Sequence, residues 1–222
     1  MFELWKDDMT RVRLDANSQA ASYLGAYWID RTAWTMYSEV TFPYGYGAVA
    51  IHDSTTFVMF GTTDGQTVAI ETIQQAAGYK VLNLVATGRA GMWVYCFGAR
   101  NITVSNSGLQ LLDVNGSVTF DSQAKWMRMA GVINSPAFNT DYGWPAGVPT
   151  VAVGMSHRGN WIQQNQIGQQ RAFLVLNYGL RVSTGLAAIA GVTRQGPQSA
   201  NPPATTPRPP IGNLIFADVT RY

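Results

Sequence analysis

The chain has 222 residues, of which 46% are hydrophobic and 13% are charged, and its formal net charge is +2. This length suits one large domain or two domains of about 100 residues, and either buries a core without disulfide staples. Most of the positive charge comes from scattered arginines, which argues against a nucleic-acid partner because such proteins need a concentrated basic surface.

The N-terminal residues 2–17, FELWKDDMTRVRLDAN, alternate apolar and polar residues on both sides of a polar turn, which predicts a hairpin. Their charges exclude the apolar core of a signal peptide, and no apolar run approaches the roughly 20 residues that cross a bilayer. We therefore expect a protein made in a reducing cytoplasm, without membrane insertion. The lone cysteine, Cys96, is expected to be a buried structural thiol rather than a nucleophile.

Short runs of β-forming residues, separated by Gly, Asn, Asp and Pro, continue along the chain. The clearest are 56–73, 79–97 and 171–184, the first of which contains a turn at 63–65. A short helical turn is expected at 72–79, and no long amphipathic helix is visible. This pattern predicts an all-β fold of the sandwich type.

Aromatic residues concentrate in Gly- and Pro-rich surroundings, where exposed rings can stack on sugars or anchor a protein interface. The candidate recognition or interface residues are Tyr44, Tyr46, Tyr142 and Trp144, because the flanking Gly and Pro residues place them in loops. Four aromatic residues further upstream are expected mostly in the core: Tyr23, Tyr27, Trp28 and Trp34.

The sequence lacks the motifs of nucleophilic, metal-dependent or phosphate-binding enzymes. Asp141, beside Tyr142 and Trp144, is the most enzyme-like carboxylate, because glycoside hydrolases combine acids with stacking aromatics. The alternative, which we favour, is that 139–149 is an aromatic loop without chemistry. His52 and His157 have no His or Cys partner at ligand spacing. We therefore expect no enzyme activity, no cofactor and no metal.

Residues 108–123, GLQLLDVNGSVTFDSQ, contain Asn115-Gly116 between two alternating runs, which is the pattern of a hairpin with a tight turn. The segment is similar to the hairpin at 2–17. Further matches follow each hairpin: a histidine after a short β-like run, and an aromatic strand at 92–101 or 213–222. These matches predict an internal duplication. The alternative is that a β-rich chain aligns with itself by chance.

Residues 197–210, PQSANPPATTPRPP, contain six prolines, so they cannot form a central strand. We expect an extended, polyproline-like segment, which is either an arm that lies on a neighbouring subunit or a surface loop. Residues 211–222 then return as an alternating strand.

The pattern GLQLLDVNGSVTFDS resembles a segment that opens a β domain in small tail-tip and tail-fibre-associated proteins of tailed bacteriophages. Leu112 stands where that pattern usually has an aromatic residue, and the N-terminal hairpin fits it more loosely. The matching positions are Gly108, Leu109, Leu111, Asp113, Gly116, Phe120, Asp121 and Ser122. The resemblance implies a virion structural protein of the phage tail, assembled in the host cytoplasm, and it assigns no catalytic residue.

We therefore predict an all-β protein of two tandem β-sandwich-like domains, 1–105 and 106–222, that acts by assembly in a phage tail tip or tail fibre. Its expected partners are other tail proteins and copies of itself, and the resemblance implies a trimer. The alternative is a receptor-binding module that recognises a host glycan or pilus. A low surface charge suits a protein whose surface is partly covered by other chains.

Overall fold

The computed structural model describes residues 2–5, 11–14, 21–38, 43–98, 109–112, 115–116, 118–121, 123–167, 170–195, 204–220 and 222. In these ranges the chain consists of β-strands and their connections, with one turn of 3-10 helix at Arg31–Ala33. The predicted all-β, sandwich-like fold is confirmed.

One layer of the sandwich is an antiparallel sheet of six strands in the order β12-β18-β14-β6-β9-β3. Both edge strands carry a register shift, which bends the edge of the sheet. The strands are β3 (Ser22–Ile29), β6 (Thr55–Phe60), β9 (Met92–Gly98), β12 (Arg128–Ile133), β14 (Val151–Met155) and β18 (Leu214–Asp218).

The other layer is an antiparallel sheet of eight strands, seven of them in the order β13-β17-β16-β7-β8-β5-β4, with β15 paired to β16. The strands are β4 (Thr35–Tyr37), β5 (Tyr44–His52), β7 (Thr67–Ala76), β8 (Tyr79–Ala86), β13 (Tyr142–Gly143), β15 (Asn160–Ile167), β16 (Gln170–Ser183) and β17 (Leu186–Gln195).

Two separate two-stranded hairpins confirm the two hairpins predicted from the sequence. They are formed by β1 (Phe2–Trp5) with β2 (Arg11–Leu14), and by β10 (Gln110–Leu112) with β11 (Val118–Asp121). The second hairpin pairs Leu112 with Val118, so its connection has five residues, and Gly116 takes the left-handed φ of 80° that favours glycine.

The main core lies between the two sheets and is built from the inward-facing residues of both. Phe60, Val94 and Phe216 come from the six-stranded sheet, and Leu82 and Leu180 come from the eight-stranded sheet; each of the five is at most 2% exposed. In each of these strands the residues directly before and after the core residue point to the outer side of the sheet, because side chains alternate with a period of two in β structure. This alternation gives each sheet a distinct outer face.

The helical turn predicted at 72–79 is wrong, because these residues belong to a hairpin of the eight-stranded sheet. Strand β7 continues to Ala76 and pairs with β8 through Ala76 and Tyr79. Gly78 closes the two-residue turn with φ 80°, and Gly185 does the same with φ 79° between β16 and β17. Pairing with the neighbouring strand thus overrides the local preference of the glutamine- and alanine-rich segment.

The predicted boundary between residues 105 and 106 falls between the two halves of one sandwich and does not separate two sandwiches. Strand β6 pairs with β14 through Phe60 and Val153, and β7 pairs with β16 through Val68 and Leu180. Both sheets and the main core therefore contain residues from both halves. The separate cores expected for two tandem domains are replaced by one core, because each half offers an open edge to the other in both sheets.

The strand order of each sheet is the same when followed from either end to its centre. Leaving out β4 and β15, each half contributes six strands to the sandwich: β3, β5, β6, β7, β8 and β9 from the first half, and β12, β13, β14, β16, β17 and β18 from the second. In the six-stranded sheet, β12-β18-β14 are the first, last and third strands of the second half, and β6-β9-β3 are the third, last and first strands of the first half. The eight-stranded sheet follows the same rule, with β13-β17-β16 facing β7-β8-β5 and with β4 and β15 added. The internal duplication stays a prediction, and this order of strands favours it.

The two histidines that suggested part of the duplication are not equivalent in this arrangement. His52 ends β5 in the eight-stranded sheet, whereas His157 follows β14 in the six-stranded sheet. Better matches are the turn glycines Gly78 and Gly185, which occupy the same place in equivalent hairpins. The match between the histidines was wrong because sequence offsets alone do not say to which sheet a strand belongs.

Candidate functional site

Two of the predicted recognition residues, Tyr44 and Tyr46, lie in strand β5 and not in a loop. Their neighbours Gly45 and Gly47 are buried, and a Cβ at Gly47 would lie 3.0 Å from the indole of Trp34. These glycines therefore make room for a core tryptophan and do not mark a turn. The tyrosines point to the outer face of the sheet, where Tyr46 packs against a small apolar cluster of Ala69, Val85 and Val192.

The other two predicted residues, Tyr142 and Trp144, lie at the opposite end of the same sheet. Both are half-buried and pack against the main core. The hydroxyl of Tyr142 accepts a hydrogen bond of 2.7 Å from the backbone N–H of Ala137. The sheet order separates β13 from β5 by four strands, so the four candidates do not converge on one site.

One of the two tryptophans predicted for the core, Trp28, is exposed. Trp34 is 2% exposed as expected, but Trp28 is 50% exposed and its cross-strand neighbour Trp93 is 45% exposed. Their ring centroids lie 5.4 Å apart on the outer face of the six-stranded sheet. The period of two could have identified them, because Trp28 is adjacent to the buried Ile29 and Trp93 to the buried Met92.

The outer face of the six-stranded sheet is apolar well beyond this pair. A second hydrophobic cluster there contains Met59, Phe97, Ala152, Ala217 and Val219, each at most 3% exposed. Half-buried aromatic rings pack against it, and burial raises the pKa of three tyrosine hydroxyls among them: Tyr23, Tyr95 and Tyr222.

The same sheet carries exposed apolar residues at its other edge. On β12, Met129 is 59% exposed and Val132 is 42% exposed. They lie on the same outer face as Trp28 and Trp93 but at its opposite edge, and the hydrophobic cluster between the two pairs is buried within the chain. Exposed apolar patches can mark interaction sites.

A cleft opens in the eight-stranded sheet where the two halves of the chain meet, and we call it the seam cleft. Strands β7 and β16 pair at only two positions, Val68 with Leu180 and Thr67 with Arg181. Beyond these positions lies a cavity of about 650 Å³. Its polar lining consists of Glu71, Thr72, Ser156, His157, Arg158, Asn160 and Asn177.

A smaller chamber of about 190 Å³ adjoins the seam cleft and shares Ile70, Ile73, Ser156 and Arg158 with it. Its other lining residues are mostly apolar, and they come from both sheets: Thr56, Phe57, Val58, Phe60, Met155 and Leu180. The seam cleft therefore has a polar mouth and an apolar interior.

The seam cleft is lined by a buried donor and by a cation that have no protein partner among the described residues. Asn177 is 4% exposed, and its side-chain Nδ2 has no hydrogen-bond partner. Arg158 is exposed, and no ion pair with a carboxylate is found for it in the described part of the chain. A cavity with a buried unpaired donor beside an unpaired cation suits a ligand that carries acceptors.

The carboxylate of the seam cleft, Glu71, is already neutralised by a neighbour. Its Oε1 lies 2.7 Å from Nη1 of Arg194, and its side chain is 14% exposed. On the outer face, burial raises the pKa of Tyr46, and a hydrogen bond to Glu71 raises it further. Beyond Tyr46 the rings of Tyr37 and Tyr44 are stacked, with centroids 4.9 Å apart.

The remaining candidates for chemistry are engaged in the scaffold. Cys96 is fully buried as predicted, and burial raises the pKa of its thiol to about 12, which keeps it protonated at neutral pH. Asp141 pairs with Arg181 at 3.0 Å, and Nδ1 of His52 lies 2.9 Å from Asp53. The described residues contain no cluster of three His, Cys, Asp or Glu side chains able to hold a metal ion. They also include no helix that is long and apolar enough to span a membrane.

The described part of the proline-rich segment, residues 204–210, packs on the chain's own sandwich. The guanidinium carbon of Arg208 lies 3.9 Å from the ring centroid of Phe138 and 5.4 Å from those of Trp161 and Tyr178. Its Nε donates to the hydroxyl of Tyr178 at 2.8 Å. Residues 204–210 are therefore an extended surface segment, without helix or strand, that is held against the chain's own sandwich. The arm on a neighbouring subunit stays a prediction, and residues 197–203 lie outside the described residues.

No protein-family model, curated protein or solved structure matches the chain.

Proposed function

We propose that the chain is a structural protein of a bacteriophage tail tip or tail fibre, which acts by assembling with copies of itself and with other tail proteins. The observation that carries this proposal is a pair of exposed apolar patches on the outer face of the six-stranded sheet, Trp28 with Trp93 on one side and Met129 with Val132 on the other. The resemblance of the hairpin at 108–123 to tail-tip proteins supports the same proposal.

The free energy gained by burying Trp28 and Trp93 can be compared with the free-energy cost of association. The two tryptophans together expose about 200 Å², and burying that area is worth about 5 kcal/mol. Association costs roughly 4–15 kcal/mol in lost freedom, so the tryptophan pair alone gives at best a weak complex. A stable interface therefore also needs the apolar residues of β12 or the neighbouring part of the outer face.

The experiment compares self-association of the full chain and of matched variants by sedimentation velocity. We expect Trp28→Ser combined with Trp93→Ser to abolish association that the unchanged chain shows. The control is Tyr79→Ser combined with Leu186→Ser, because both residues are 44% exposed and lie at hairpin turns of the other sheet. Purified phage particles from the source should contain the chain; a monomer that is absent from such particles would contradict the proposal.

A second candidate function is recognition of a receptor on the host surface, as the alternative from the sequence suggests. The outer face of the eight-stranded sheet favours it, because the stacked Tyr37 and Tyr44 lie near Tyr46, which hydrogen-bonds to Glu71 in the lining of the seam cleft. Tyr142 and Trp144 are packed into the rim of the core and contribute less to an exposed recognition surface. Host adsorption should then fall in Tyr37→Ala and Tyr44→Ala variants that still assemble.

A further inference from the structure

We propose that the seam cleft binds an acidic sugar, with the sugar carboxylate facing Asn177 and Arg158. This inference makes the second candidate function specific and does not depend on assembly through the six-stranded sheet. It is carried by the unpaired buried donor, by the charge of the mouth, and by the aromatic surface beside it.

The amide of Asn177 is not required by the scaffold. Asn177 pairs across the sheet with Val192, the sixth residue after Leu186, and in the first half the sixth residue after Tyr79, Val85, pairs with Ala69. A register shift between Ile70 and Thr72 places Ala69 one residue further from its turn than Asn177 is from its own. Alanine fills that place and packs in an apolar cluster. A buried donor without a partner is unfavourable, so its presence at a position that accepts alanine points to a ligand.

The charges at the mouth select an anion. Arg158 lines the seam cleft, is exposed and lacks a carboxylate partner within the described ranges. Glu71 is held in an ion pair with Arg194, so it opposes an incoming carboxylate less than a free carboxylate would. Guanidinium and amide N–H groups together match the two oxygens of one carboxylate.

The surroundings favour a sugar over an acidic peptide. The mouth also contains acceptors, the oxygens of Glu71 and Asn160, which suit sugar hydroxyls next to the carboxylate. Tyr46 contacts Glu71, and the stacked Tyr37 and Tyr44 extend a ring surface along which further sugar units can pack. The apolar chamber behind the mouth has room for a small apolar substituent such as an N-acetyl methyl group.

The test is titration calorimetry of the full chain with four probes: 3′-sialyllactose, tetragalacturonate, lactose and hexaglutamate. We expect binding of at least one acidic sugar, with lactose at least about tenfold weaker. Asn177→Ala and Arg158→Gln should each weaken that binding by about tenfold or more without lowering the melting temperature by a matching amount. The controls Asn134→Ala and Arg89→Gln change an exposed Asn and an exposed Arg that lie outside the seam cleft, and they should have no effect.

Each other outcome overturns a definite part of the inference. Equal binding of lactose would remove the role of the carboxylate, and preferential binding of hexaglutamate would assign the cleft to an acidic peptide. Binding that survives both cleft variants would place the sugar elsewhere. If neither acidic sugar binds, the proposal is wrong, while the self-association experiment still decides assembly independently.

Discussion

Replacing Arg208 tests whether the proline-rich segment is fixed to the sandwich by its arginine. The guanidinium group contacts the rings of Phe138, Trp161 and Tyr178, and Nε donates to the Tyr178 hydroxyl at 2.8 Å. That hydroxyl in turn donates to the carbonyl of Pro209 at 2.6 Å. Arg208→Ala removes the ring contacts and the hydrogen bond to the Tyr178 hydroxyl. Arg208→Lys keeps the positive charge but loses the planar guanidinium group.

The expected loss follows from the contacts. A cation–π contact at a partly exposed site contributes about 1 kcal/mol, and the hydrogen bond contributes about 1 kcal/mol more. Arg208→Ala should therefore lower the free energy of unfolding by about 2 kcal/mol, which is roughly 4–8 °C in melting temperature for a chain of this size. Arg208→Lys should lose about half of that, because lysine lacks the flat face that stacks on rings.

Thermal and urea unfolding of the three proteins measure the effect, with Arg158→Ala as the control for removing an exposed arginine. The control should change stability by no more than about 0.5 kcal/mol. Hydrogen exchange adds a local readout, because the backbone N–H of Thr206 donates to Ile162 and should exchange faster in Arg208→Ala. Equal stability of the two alanine variants would refute the argument that the arginine fixes the segment.

Further predictions concern the seam and the buried thiol. Gly179→Ala should destabilise the fold by about 1–3 kcal/mol in urea unfolding, because its Cβ would lie 2.7 Å from a carbonyl oxygen of β7, whereas Gly143→Ala has open space and should be neutral. Cys96 should react with a thiol reagent at about pH 8 only after denaturation. Because its pKa is about 12 in the fold and lower when unfolded, the unfolded state loses its proton first and stability falls as pH rises from about 9 towards 12. That contribution should be absent in Cys96→Ala, and the same pH slope in both proteins would contradict it.

Local patterns in the sequence were sufficient for the fold class and for the hairpins. Alternating runs and Gly-containing turns depend on interactions between residues close in the chain, and the turn predicted at 63–65 is present, with positive φ at Asp64 and Gly65. The burial of Cys96 followed from its β-forming neighbours. These features need no knowledge of which strands meet in space.

Features that depend on distant residues could not be obtained in the same way. The glycines around Tyr44 and Tyr46 had the appearance of loop residues, and only the position of Trp34 beneath them explains why they lie in a strand. The pairing of β6 with β14 joins Phe60 to Val153, which are far apart in the chain. No local pattern specifies such a pair, so two tandem domains and one shared sandwich were equally compatible with the sequence.

The way in which the two halves join accounts for both candidate surfaces. Strands from the two halves pair across the join in both sheets, so the core between the sheets is continuous. Because β7 and β16 pair at only two positions, the eight-stranded sheet opens beyond them into the seam cleft. The outer strands β3 and β12 are then equivalent edges of one sheet, and identical edges would allow open-ended stacking of subunits. They carry different apolar residues, the tryptophan pair at one edge and Met129 with Val132 at the other. Contact between unlike edges is heterologous, and it closes into a ring only at a fixed rotation between subunits, so a closed ring is what the proposed self-assembly would require of these two edges.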